Sequence, residues 1–191
     1  MTTPSDIYGV ERWGHGLIAV LETGELGLLN PLRPAAPAIA LPKVIRELEA
    51  RDIRPPVLLR VNAYIEHQLS AINEAFARAI EAADYCGVYR GVFPIKVNQQ
   101  AEVVDRIVEH GRRFGFGLEA GSKPELLIAL SRRLSPESLV ICNGIKDAEF
   151  VRLALLARKL GIQCVIVLES PRELDVVLAE VEALGIEPIL G

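Results

Sequence analysis

A lysine at the end of an apolar run is the residue in this sequence best placed to do covalent chemistry. In GVYRGVFPIKVNQQ, residues 87–100, Lys96 closes VYRGVFPI, which reads as a buried strand, and a polar run follows it. A free lysine titrates near 10.4 and is not nucleophilic while protonated. Desolvation at an apolar strand end favours the neutral amine, which attacks an aldehyde to form a Schiff base. The same residue also reads as a lysine whose stem packs while its ammonium reaches solvent. Pattern alone leaves both readings open. Polar residues also follow later apolar runs: Glu119, Ser122, Lys123 and Glu125 in EAGSKPE, Asn143 and Lys146 in NGIKD, and the pair ES after QCVIVL. Glu119 is either a site acid or a locally paired carboxylate. Ser122, Lys123 and Glu125 serve equally well to start a helix, because acids are favoured in a first turn.

The elements that must position these residues alternate. Short apolar runs begin near Val88, Phe114, Ser138, Gln163 and Glu187, with helical patterns between them (QAEVVDRIVEHG, KPELLIALSRRL, DAEFVRLALLARKLG, PRELDVVLAEVEALG) at a spacing of about 25 residues. Pro124 and Pro171 suit first helical turns, Asp147 suits an N-cap, and Gly111, Gly161 and Gly185 suit left-handed positions after helix ends. The strands read as apolar on both faces, as in a parallel sheet covered by helices. Alternation of this kind predicts the α/β class. Polar strand ends converging on one mouth favour a (β/α)8 barrel over an open doubly wound sheet. No GxGxxG or Walker-type phosphate loop follows the first strand.

The beginning differs. YGVERWGHGLIAVLETGELGLL reads as short strand-like pieces with turns at Gly14–Gly16 and Thr23–Gly24, and NPLRPAAPAIALP, with four of the twelve prolines, as a connector. Residues 1–42 are therefore expected to stand apart from 43–191. In the latter, KVIRELEAR predicts a short helix and PPVLLRV a short strand. AYIEHQLSAINEAFARAIEAADY predicts a long helix with Ile65, Leu69, Ile72, Phe76 and Ile80 on one face.

With 191 residues, half of them hydrophobic, the chain has material for one sizeable core. A formal charge of −4, spread along the chain, argues against nucleic acid or an anionic membrane as partner. No apolar run reaches the roughly 18 residues of a membrane span, and no signal peptide is evident. Cys86, Cys142 and Cys164 lack metal-ligand spacing and read as reduced thiols of a cytoplasmic protein. His15, His67 and His110 are isolated in the sequence.

PIKVNQ, GFGLEAGSKPEL and CNGIKDAEFVRLALLARKLG, in this order and spacing, resemble the biosynthetic arginine decarboxylases, pyridoxal-phosphate enzymes built on an alanine-racemase-like barrel. The resemblance begins at YGVERWGHG, passes through RPPVLLRV and NEAFARAI, and runs to the last residue. It implies that Lys96 carries the internal aldimine with pyridoxal 5'-phosphate, and that Glu119 lies close to the cofactor and that lysine. It implies decarboxylation of L-arginine to agmatine, an entry to polyamine synthesis, in a homo-oligomeric full-length protein, with Mg2+ as a further requirement. No ligand cluster for that ion is evident in the residues. Ile145 departs from the family, which usually has tyrosine there. The resemblance also makes this chain an N-terminal fragment, about five βα units of the barrel, preceded by short strands that belong with a missing C-terminal β-domain. The fragment is expected to be inactive alone. The competing expectation is a non-catalytic module, derived from such a decarboxylase, that binds the cofactor or a partner.

Overall fold

The computed structural model describes residues 2–191, which fall into two compact units, the first running to Gln68 and the second Leu69–Gly191. In the first unit, YGVERWGHG is helical rather than strand-like. Helices α1 (Pro4–Tyr8) and α2 (Val10–Gly14) are single turns joined at Gly9, whose left-handed backbone ends one and starts the other. Thr3 and Asp6 form a reciprocal capping box, which satisfies the free N–H groups of a helix too short to show a period in the sequence. Strands β1 (Ile18–Val20), β2 (Leu26–Leu28) and β3 (Ile39–Ala40) then make an antiparallel sheet in that order. Helix α3 (Leu41–Glu49) follows directly, with Pro42 in its first turn.

PPVLLRV forms no strand, contrary to expectation. Two prolines remove backbone donors at its start, and no described strand pairs with it, so its apolar residues Val57, Leu58 and Leu59 stay exposed. Helix α4 (Asn62–Ala82) is the long helix the period predicts. Its expected apolar face is only partly covered: Leu69 is buried, while Ile72 and Phe76 are exposed, the Phe76 ring stacking on Tyr89 at 3.8 Å.

The second unit is built around five parallel strands: β4 (Val92–Pro94), β5 (Gly117–Ala120), β6 (Leu139–Cys142), β7 (Gln163–Ile166) and β8 (Ile189–Leu190). Their order in the sheet is their order in the chain, with no reversal. Helices α5 (Ala101–Gly111), α6 (Lys123–Leu130), α7 (Ala148–Lys159) and α8 (Pro171–Leu184) alternate with them. An unreversed parallel succession of βα units is the arrangement of a (β/α)8 barrel wall, not of a doubly wound sheet.

The helix starts follow the sequence. Asp147 accepts from Phe150 N–H at 2.9 Å, Ser122 caps α6, and Pro124 and Pro171 occupy first turns. At the far ends, Gly185 and Gly161 are left-handed, but Gly111 is an ordinary helical residue and Gly115 takes the left-handed turn instead. Val104, Leu126, Phe150, Leu155 and Val177 from the helices enclose Leu118, Val140, Cys142, Cys164 and Ile166 of the sheet, all fully buried. Burying one such side chain contributes about 1.5–3 kcal/mol. The alternate residues of β6 and β7, such as Ile141 and Val165, are only half-buried, so helices cover one face of these strands and not both.

Candidate functional site

The first strand of the parallel sheet is shorter than VYRGVFPI predicts. Val88 is exposed, pairing begins at Val92, and the chain leaves β4 after Pro94 in a 3-10 turn, Ile95–Val97, that carries Lys96. The turn buries Ile95 completely and directs Lys96 outward. The Lys96 side chain is 62% exposed, which favours, of the two readings left open by the pattern, the one in which the ammonium reaches solvent. Its ammonium is nevertheless held beside an acid: Nζ lies 3.7 Å from Glu119 Oε1.

Glu119 comes from the neighbouring strand, in register with Pro94, the last residue of β4, which stands two residues before Lys96. Unlike Lys96 it is buried, and its Oε2 has no hydrogen-bond partner among the described residues. A buried carboxylate oxygen left unpaired is costly, so a site of this kind holds an acceptor that a further donor would satisfy. Asn143 follows β6, the next strand, where its backbone N–H donates to Ala120 O at 2.9 Å and its side-chain amide donates to Glu119 Oε1 at 3.2 Å. Lys96, Glu119 and Asn143 thus occupy three successive strand ends and converge on one carboxylate oxygen.

Ser122, Lys123 and Glu125 serve α6 instead. Ser122 caps it, Glu125 Oε2 accepts from Gly121 N–H at 2.7 Å, and Lys123 bridges Asp147 and Glu149 at 2.8 and 2.6 Å. Hydrogen bonds to those two carboxylates raise the Lys123 amine above its ordinary value, and the Lys123 bond together with the Phe150 N–H lowers Asp147. Ile145, two residues after Asn143, is 88% exposed.

Lys146 and Glu173 lie where sequence gave no warning of their environment. Their side chains are 0% and 5% exposed and paired at 3.5 Å. Burial pushes the Glu173 carboxyl up, but the backbone N–H groups of Glu169 and Lys146 and the Lys146 ammonium outweigh it, and the group titrates below its ordinary value. The residues are 27 apart in sequence, and the only local signal is an acid in the first turn of α8.

Cys142 and Cys164 are buried and Cys86 is exposed, all three as free thiols. A hydrogen bond with Cys164 and burial drive the Cys142 thiol strongly upward, which leaves it inert. Among the described residues no group of three or more His, Cys, Asp or Glu side chains is placed to hold a metal ion, so Mg2+ has no such site among them. Among the described residues no helix is long and apolar enough to cross a membrane. A cavity of about 580 Å³ lined by Asn73, Tyr89, Arg90, Arg112, Arg113 and Glu137 lies toward the opposite ends of the strands and includes none of the three converging residues.

Fold and site together define a parallel βα barrel wall with a lysine–carboxylate pair at its C-terminal mouth. The description of the pyridoxal-dependent decarboxylases, pyridoxal binding domain, matches residues 65–187, and the chain belongs to that family. Among its relatives, the biosynthetic arginine decarboxylase of Prochlorococcus marinus (strain MIT 9313) is 42% identical over 185 residues, which is 97% of this chain and 28% of that protein. The biosynthetic arginine decarboxylase of Thermosynechococcus vestitus is 43% identical over 97% of this chain and 29% of its own length. The chain therefore spans under a third of the length of these relatives. Among solved structures, the biosynthetic arginine decarboxylase from Campylobacter jejuni superposes with a TM-score of 0.85 at 27% identity, covering 96% of this chain and 30% of that one. The diaminopimelate decarboxylase from M. jannaschi, at a TM-score of 0.69 and 17% identity over 94% of this chain and 36% of that one, shares the fold.

Proposed function

We propose that this chain carries the attachment point for pyridoxal 5'-phosphate, Lys96, in a protein that removes CO₂ from L-arginine to give agmatine. The observation that carries the reading is the exposed Lys96 ammonium beside the buried Glu119 carboxylate at adjacent strand ends. The names of the relatives support the choice of arginine, and no residue described above selects it independently. In this reading residues 43–191 form the cofactor-binding part and 1–42 a separate segment. Three free cysteines are in keeping with a reducing, cytoplasmic setting.

The residues present fit the group. Lys96 Nζ reaches solvent and is open to an aldehyde, and the unpartnered Glu119 Oε2 leaves an acceptor in the site. When bound, pyridoxal phosphate supplies an electron-accepting ring that stores the pair left as the Cα–carboxylate bond breaks. Lys96 Nζ must shed a proton before it can attack a carbonyl carbon. Glu119 Oε1, 3.7 Å away, is the carboxylate oxygen paired with Lys96 Nζ and the acceptor this reading assigns to that proton. Asn143 fixes the direction in which Oε1 points. The turn at Ile95–Val97 anchors Lys96 through the fully buried Ile95, so the amine moves about a fixed root.

Turnover by the 191-residue chain alone is not part of this reading. Strands β4 and β8 each pair on one side only, and Lys96 stands largely in water, so nothing among the described residues encloses the reaction. Incubation with pyridoxal 5'-phosphate, borohydride reduction and peptide mass spectrometry test the attachment. A pyridoxyl group on Lys96, absent from Lys96→Ala, is expected. An unmodified Lys96, or equal labelling of the variant protein, refutes the assignment and leaves the binding-module reading. Release of agmatine by the chain alone would refute the claim that it does not turn over.

A further inference from the structure

We infer that the buried pair Lys146–Glu173 is a positioning device for Lys96, acting through Asn143 and Glu119. The inference rests on the reading of Lys96 above and concerns groups that reading does not use. The loop after β6 has no regular structure, yet it carries the amide that orients Glu119. Glu173 clamps that loop from the first turn of α8: Oε1 accepts from Lys146 N–H at 2.9 Å, and Oε2 accepts from Glu169 N–H at 2.8 Å. The Lys146 ammonium sits between Glu173 Oε2 and the Gly144 carbonyl, closing the loop on itself. Glu169 adds a second tie from the β7–α8 side, accepting from Gly144 N–H at 3.0 Å. Every residue from Asn143 to Lys146 except the exposed Ile145 is thereby held by a side chain or by neighbouring backbone.

Stability alone does not explain the arrangement. A buried ion pair repays its desolvation poorly, and apolar residues of the same volume are often as stable or more so. What the pair adds is position. It fixes the loop to α8 and α8 to the strand end after β7, so the Asn143 amide meets Glu119 Oε1 at one place. Lys146 and Glu173 do not touch the reacting groups; they are positioning residues.

A double-mutant test separates this role from general stabilisation. The first-order rate constant for borohydride-trapped pyridoxal 5'-phosphate on Lys96, at saturating aldehyde, is measured together with the melting temperature. Lys146→Met and the milder, exposed-site Glu169→Ala are each made alone and in the Asn143→Ala background. Lys146→Met is expected to slow trapping about tenfold, and Glu169→Ala about threefold, the sensitivity of a reaction to sub-ångström misplacement. In the Asn143→Ala background both effects on rate are expected to vanish, while any loss of melting temperature persists unchanged. Glu169→Ala keeps the test alive if Lys146→Met fails to fold. Rates unaffected by both variants, or slowed equally in both backgrounds, overturn the inference while leaving Lys96 as the attachment point. No adduct on Lys96 of the unaltered chain overturns both.

Discussion

Lys96 and Glu119 face each other at 3.7 Å from opposite environments, the lysine 62% exposed and the carboxylate 5%. The asymmetry divides their tasks. An exposed amine can reach an incoming aldehyde, and a buried acid keeps its place while the amine moves. The contribution of such a pair to folding is small, because the lysine is screened by water. Glu119→Gln, which preserves shape and removes the acceptor for the amine's proton, is therefore expected to leave the melting temperature nearly unchanged. Trapping of pyridoxal 5'-phosphate on Lys96 is expected to slow by roughly a hundredfold, the lower range for loss of a positioned acid–base group. Stopped trapping at several times compares the two rates, and equal rates would remove Glu119 from the site.

The Glu173 carboxyl titrates below its ordinary value of 4.5 in the folded chain. A group lowered on folding contributes stability that is fully present above its unfolded value and is lost as pH falls through its folded value. Thermal stability of the unit containing Glu173 is thus expected to decline as pH drops below about 4.5. Glu173→Gln is expected to be less stable at neutral pH, where it leaves Lys146 buried without its counter-charge, and to show a flatter decline below that point. Melting curves between pH 3 and 7 for the two proteins, on the order of one unit apart, make the comparison; parallel curves would argue that Glu173 has the same affinity for protons folded and unfolded.

Burial sorts the three thiols. Cys86 is exposed, whereas Cys142 and Cys164 lie inside the sheet–helix core. Since only an accessible thiolate reacts, a maleimide is expected to add once to the native chain, on Cys86, and at all three positions after denaturation. Intact-mass measurement distinguishes the two. Fast native labelling of Cys164 would show that β6 and β7 open readily.

Much of the second unit is legible in the sequence because its signals are local and mutually consistent. Asp147, Pro124 and Pro171 mark helix starts that the structure places within a residue, and LVIC and QCVI announce strands that need no other information. The first unit is less legible because single-turn helices carry no period. What shapes α1 is the Thr3–Asp6 box and the left-handed Gly9, not an apolar stripe. PPVLLRV has the composition of a strand but no described neighbour to pair with. At the site, the kind of residue at position 96 was legible and its environment was not. β4 ends two residues before Lys96, so the 3-10 turn turns the amine out to water. Lys146 and Glu173 were hidden for a different reason: their burial exists only once the β6–α7 loop and the first turn of α8, 27 residues apart, are brought together.

Gly144 shows how closely the β5–α6 and β6–α7 loops meet. Its φ is +73°, in the left-handed region that disfavours any side chain, and a Cβ added there would lie 2.5 Å from the Gly121 carbonyl oxygen. That oxygen belongs to the backbone between β5 and α6, which α6 anchors through Glu125, so it has little freedom to withdraw. Gly144→Ala therefore combines backbone strain with a contact that cannot relax by rotating a side chain. A loss of about 1–3 kcal/mol is expected. Because Gly144 follows Asn143 directly and hydrogen-bonds to Glu169 and Lys146, the displacement falls on the loop that orients Glu119. Trapping on Lys96 is accordingly expected to slow along with the fall in stability. Gly161→Ala is the control: its φ is +88°, but nothing lies within 4 Å of an added Cβ and it stands at the opposite end of α7. It is expected to cost about 1 kcal/mol through strain alone and to leave trapping unchanged. Urea denaturation and trapping rates for the two variants test the distinction. Equal trapping by both would mean that the spacing between the β5–α6 and β6–α7 loops does not govern the site.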